Sequence, residues 1–413
     1  MSQTDLVPAF RLRSAAVAAT VLLLALLPGA VSPASAANTA ANAANTAAAK
    51  RPASILDDAV FRNDVQFGLD QLYRMDFVGA DQTFRRVAER YPGHPAGPFL
   101  EALVPWWGIL LDPENPVNDK KFLTSMEEVI RRSEQRLRRN PEDMDGLFFK
   151  SGAYAFRARV HAYRKNWMKA GNDGRRALSS LKRVHKRDPE NHDLYFGLGL
   201  FHYLADEAPK QYKFLRPVAR MFVRGDRERG LAELERAATR ARFAQAEARH
   251  AQYQIYFLFE KDMNKALQAV TWLRRRYPTN ALFAYEEGRI YAQMGLWPEA
   301  SVVFQEVAER QVEGQPGYSG ALAQKALYWL ARGEMATGRY QGALDYLDRL
   351  DHLAAERDYD AYFRAAGRLR RGMTYDALGR RDDAVKCYRE VLTIGSGDVK
   401  DRAREFLEKP YAG

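Results

Sequence analysis

The chain has one cysteine, Cys387, so no intramolecular disulfide can staple it and no paired-cysteine metal site can form. Catalytic signatures are missing as well. There is no His-Glu-x-x-His, no Gly-x-Ser-x-Gly and no Walker loop. Gly197-x-Gly199 runs on to His202, where a dinucleotide loop wants glycine, and it sits in a helical pattern rather than after a strand. His185, His192 and His202 never fall at i, i+4 on one helix, so a metal site built from them with Glu190 or Asp193 is not expected. Period-two alternation bounded by hairpin turns is absent too, which excludes a sheet as the main core. These absences indicate no enzyme, no cofactor, no metal and no small-molecule substrate.

What is present begins with a leader. Arg11 and Arg13 precede an apolar run from Ala15 to Leu27, and Ala34-Ser35-Ala36 supplies a small-x-small cleavage site. Residues 1–36 therefore read as a signal peptide, cleaved near Ala36. The alternative is a retained single-span anchor, for which the run is short. The expected location is exported, periplasmic or secreted, with envelope association open. Removing Arg11, Arg13 and Asp5 takes the net charge from +11 to one unit less. An exported basic chain meets anionic surfaces or acidic proteins rather than nucleic acid. Many of its arginines also lie where they offset helix dipoles, as at Arg90, Arg138, Arg139 and Arg274 to Arg276. Residues 37–53 are rich in Ala, Asn and Thr and read as a disordered tether. Order is expected from Ser54, which with Asp57 has the spacing of a capping box.

From residue 54 to 413 a helical phrase recurs. Its clearest copy reads Gly288, Tyr291, Gly295, Trp297, Ala300, Phe304, Val307, and another reads Gly372, Tyr375, Gly379, Ala384, Tyr388, Val391. Small and aromatic residues at this spacing suit two short antiparallel helices that pack closely and stack on the next pair. The phrase is that of a tetratricopeptide-type repeat, and it predicts an all-α, right-handed solenoid of about eight helix pairs. Ala80, Ala177, Gly230, Ala266, Ala300, Ala343 and Ala384 mark the second helices. The pattern is irregular over residues 101–209 and interrupted by an insertion at 207–229. It is regular over 245–395, with a capping helix at 398–409. Cys387 falls on the last second helix as a small packing residue.

Gly197-Leu198-Gly199-Leu200-Phe201, then Arg224-Gly225-Asp226-Arg227, Gly230-Leu231, and Arg276-Tyr277-Pro278 with Phe283 carry a narrower resemblance. Residues 194–295 resemble the inclusion-body-clearance and outer-mitochondrial-membrane family of eukaryotic tetratricopeptide proteins. That resemblance implies a membrane- or aggregate-associated adaptor without catalysis.

Two surfaces are candidates for binding. In a stacked array the first helix of each pair lines the concave side. Tyr285, Arg289 and Gln293 come there from one unit, and Lys325, Tyr328 and Arg332 from the next. Aromatic faces and guanidinium groups together suit a protein or peptide partner. The competing reading packs Tyr285 and Tyr328 within the stack. The second surface is residues 211–224, where Phe214, Leu215, Val218, Met221 and Phe222 alternate with basic residues. Such a segment suits an anionic membrane surface or a partner, or folds back onto its own solenoid; Pro217 limits any helix through it. Trp106 and Trp107 make a third apolar spot. Adjacent tryptophans cannot both face one side of a helix, so one is expected to be exposed or to lie under the loop at 110–121.

Overall fold

The computed structural model describes residues 54–212, 225–356 and 361–413, and every regular element among them is a helix. After a single turn at Ile55–Asp57 come α1 (Ala59–Tyr73) and α2 (Phe77–Arg90), then α3 (Ala96–Glu101), α4 (Leu103–Leu111) and α5 (Asp119–Arg139). Hairpins follow: α6 (Met144–Tyr163) with α7 (Trp167–Arg187), and α8 (Leu194–Gln211) with α9 (Arg227–Arg240). Next are α10 (Gln245–Ile255) with α11 (Met263–Arg276), and α12 (Ala281–Gln293) with α13 (Trp297–Val312). The last are α14 (Gly320–Ala336) with α15 (Tyr340–Glu356), and α16 (Ala361–Ala377) with α17 (Arg381–Ile394), before α18 (Gly397–Glu408). The fold is thus an all-helical, tetratricopeptide-like solenoid of consecutively packed hairpins.

Side-chain caps set the helix starts. Asp58, Asp76, Asp143, Asp226, Asp262, Asn280 and Ser319 each accept a backbone N–H from the first turn they precede. The expected capping box at Ser54 is realised differently. Ser54 caps only the single turn, while Asp58 caps the first full helix. Ser54 is instead held by its hydroxyl, which donates to Asp145 Oδ1 at 2.6 Å.

In six of the hairpins the turn uses one left-handed residue. Gly295, Gly338 and Gly379 supply it late in the chain, with φ of 76°, 74° and 74°. Earlier hairpins use Met75, Lys165 and Lys261 in the same conformation, at φ of 67°, 57° and 57°. A side chain at positive φ costs roughly 1–2 kcal/mol, partly offset in glycine by its larger unfolded-state entropy. Lys261→Gly is therefore expected to stabilise the fold by up to about 1 kcal/mol, read as a raised urea midpoint.

The small marker residues all lie at helix crossings. Ala80, Ala266, Ala343 and Ala384 are fully buried, and Ala177 and Ala300 nearly so. At the crossing of α8 and α9 the backbones themselves come close, and a Cβ on Gly230 would meet Tyr203 N at 2.4 Å. At the far end, Val399, Ala403 and Phe406 of α18 are buried. Asp376 ties down the tail there, accepting from Tyr388 Oη at 2.8 Å and from the Tyr411 N–H at 3.0 Å. Cys387 is buried in the same region, and burial pushes its thiol pKa up.

The solenoid does not stay open. The hairpin of α1 and α2 docks on the turn between α11 and α12. Asn280 Nδ2 donates to Tyr73 O at 2.8 Å, Thr279 Oγ1 to Arg74 O at 2.9 Å, and Tyr277 Oη to Asp70 Oδ1 at 3.2 Å. The Tyr73 and Tyr277 rings lie 4.9 Å apart. Helix α4 fills the space this closure encloses, and here the tryptophan expectation is corrected. Both are buried, Trp106 at 0% and Trp107 at 2% exposure. Trp106 meets Phe156 edge-on at 5.1 Å, on the α6 side. Trp107 meets Tyr73 at 5.6 Å and Phe283 at 6.0 Å, on the closure side. A helix flanked by two walls has no solvent face, so adjacent residues can both be core.

Candidate functional site

The six residues expected on the concave side divide in the folded chain. Tyr285, Arg289 and Lys325 line one chamber of about 190 Å³, together with Tyr253, Glu286 and Tyr362. Helices α10, α12, α14 and α16 build its walls, all first helices of their hairpins. The end of α4 and the turn after it, from Leu110 to Glu114, cover one side. Gln293, Tyr328 and Arg332 do not line it. Gln293 is half-buried at the end of α12, whereas Tyr328 and Arg332 are buried in α14.

Aromatic rings hold the cationic side chains. The Arg289 guanidinium lies 4.7 Å over the Phe257 ring and donates to Tyr253 Oη at 3.3 Å. Arg332 lies 4.7 Å over Trp329, whose indole N–H donates to Tyr285 Oη at 3.2 Å. Tyr328 accepts from Arg370 Nε at 3.5 Å. Burial would push its phenol up, but the charges of Arg370 and Arg332 outweigh this and hold its pKa below the ordinary value.

Sequence reasoning missed the polar pair at the chamber wall. His250 Nε2 lies 2.9 Å from Glu286 Oε1, both residues are buried, and the second Glu286 oxygen has no hydrogen-bond partner among the described residues. The two are 36 residues apart, about one repeat, on equivalent first helices. Aligning the hairpins by register was the signal that would have found them. Burial disfavours the imidazolium, but the Glu286 carboxylate outweighs burial and raises the His250 pKa above its ordinary value. The raised value means the pair's stabilisation is full below the unfolded imidazole pKa and is lost as pH rises through the folded one. His250→Gln is expected to flatten that part of the stability profile, measured as urea midpoints from about pH 6 upward.

The glycine-rich motif has a packing role. The Asp226 N–H donates to His202 O at 2.9 Å, and the Asp226 side chain caps α9. Arg227 pairs with Glu260, and a Cβ on Gly225 would strike the Asp206 backbone. The nearby histidines are taken up by hydrogen bonds and packing: His202 Nδ1 lies 2.5 Å from Glu233, His192 accepts from Arg236, and His185 meets the Tyr195 ring edge-on. Among the described residues no group of three or more His, Cys, Asp or Glu is placed to hold a metal ion. Nor is any described helix long and apolar enough to cross a membrane. Phe214, Leu215, Val218, Met221 and Phe222 lie outside the described residues.

Residues 366–394, most of the α16–α17 hairpin, match the family model described as tetratricopeptide repeat. No curated protein matches the chain. Among solved structures it is similar to the P58(IPK) TPR domain, at 14% identity over 84% of this chain and 96% of that one, with a TM-score of 0.26. The family match places a tetratricopeptide repeat, a unit of scaffold folds for protein–protein interaction, at residues 366–394.

Proposed function

We propose that the protein is an exported, non-catalytic adaptor that seats an acidic, partly apolar segment of an envelope protein in the chamber between α10 and α16. The observation that supports it is the convergence of Tyr285, Arg289 and Lys325 on one cavity with the apolar Leu110 and Leu111 opposite. Aromatic rings pre-position the guanidinium, so less side-chain entropy is lost when a carboxylate arrives. The closure by α4 narrows an open groove to a chamber, which suits an anchoring side chain rather than a long extended peptide.

Photo-crosslinking from an unnatural residue at Tyr362, a half-buried chamber position, tests this in the native host. Val302, 67% exposed on α13, is the control. A defined adduct from position 362 and none from 302 supports the adaptor. No adduct from 362, or the same adducts from both, sinks it. Recovery of the protein in a membrane fraction that salt releases, without adducts, would favour the lipid-surface reading of residues 211–224 instead.

A further inference from the structure

On the other side of α4 lies a second cavity, of about 200 Å³, between α1, α4, α6 and α8. One water needs roughly 10–15 Å³ of such space, so the volume is that of a dozen waters or more. Its walls would hold water poorly. Leu69, Phe99, Leu103, Phe156, Leu200 and Phe243 are among the many apolar side chains that line it. Phe99, Phe156 and Phe243 line the cavity and are only half-buried, so apolar ring surface is available there.

The polar groups around this cavity differ in one respect. Asp193 already accepts the N–H groups of Phe243 and Ala244, at 2.7 and 2.8 Å, and Glu247 accepts from Tyr73 Oη at 3.2 Å. Two donors are left over. The Trp106 indole N–H is fully buried and reaches no acceptor among the described residues. Arg159, half-buried, makes no hydrogen bond or ion pair among the described residues; its guanidinium lies 4.5 Å over the Trp106 ring. An unpaired guanidinium at an apolar cavity is complementary to an anion carried on a hydrocarbon chain.

From this we infer that the cavity is a binding site for a single-chain anionic amphiphile of the fatty-acid class. The alkyl chain lies among the phenylalanines and leucines, and the carboxylate pairs with Arg159. This site is separate from the adaptor chamber, and neither reading depends on the other.

The test is calorimetric titration of the full chain with decanoate and with 1-decanol, which has the same chain and no charge. Saturable one-site binding of decanoate is expected. Arg159→Gln should weaken decanoate by about tenfold or more, the worth of one charge-assisted hydrogen bond, and leave decanol nearly unchanged. Ala155→Phe, which fills the cavity from α6, should remove both. Should that variant fail to fold, fluorescence of the parent reads the same occupancy, because Trp106 and Trp107 both line the cavity. A saturable change on adding decanoate supports the site. Non-saturable adsorption by the parent, or undiminished decanoate binding by Arg159→Gln, overturns it.

Discussion

Trp107→Ala is expected to destabilise the protein by about 3–5 kcal/mol, the usual cost of truncating a buried tryptophan. The local reason is volume, since the ring is 2% exposed and an alanine leaves a void that rigid helices cannot close. The larger reason is position. Trp107 touches Tyr73 on one side and Phe283 on the other, so it joins the first hairpin to α12. Its loss should weaken the closure before it weakens any single hairpin. Urea denaturation should therefore give a lower midpoint, and hydrogen exchange should speed up first in α1 and α4. If the C-terminal hairpins α14 to α17 lost protection equally, the closure would not be a separable unit.

Gly230→Val should cost about 3 kcal/mol through overpacking rather than a void. The new Cβ would sit 2.4 Å from Tyr203 N and 2.7 Å from Tyr203 Cα, and backbone cannot swing aside. Two controls separate this from a general glycine effect. At Gly288 the atoms nearest to a Cβ belong to the Phe304 ring, at 2.7 Å, and a side chain can give way. At Gly295 it meets nothing within 4 Å, so only the strain of φ +76° remains. The expected order of lost stability is Gly230→Val, then Gly288→Ala and Gly295→Ala. A Gly230 variant as stable as the parent would mean that α8 and α9 pack otherwise.

The fold was largely legible in the sequence because the late hairpins mark themselves. Gly295, Gly338 and Gly379 announce a left-handed turn, and a small residue five positions later announces a close crossing. Met75, Lys165 and Lys261 adopt that turn without announcing it, which is why the earlier hairpins were harder to read. Helix α4 shows the limit more clearly. Leu-Val-Pro-Trp-Trp-Gly-Ile-Leu-Leu has no polar stripe, so periodicity could not say which face was core. The answer depended on α12 returning to cover it, a contact between distant segments. The site was legible only in part for the same reason. Register placed Tyr285, Arg289 and Lys325 on first helices, but which side chains share a chamber depended on how the hairpins curve.

The docking of Tyr73 against Asn280 also sets an order of events during synthesis. The two residues are 207 positions apart. At roughly 5–20 residues per second, α1 to α4 wait about 10–40 s for their partner to be made. Throughout that interval Trp107 has only half of its neighbours, and an apolar nine-residue helix stands open. The hairpins, being local, form early; the seam between the first hairpin and the turn from α11 to α12 must wait until residues 277–283 are made. Slow translation or truncation before Phe283 would leave that surface exposed, so nascent chains ending between residues 111 and 276 should be the ones that bind chaperones and aggregate.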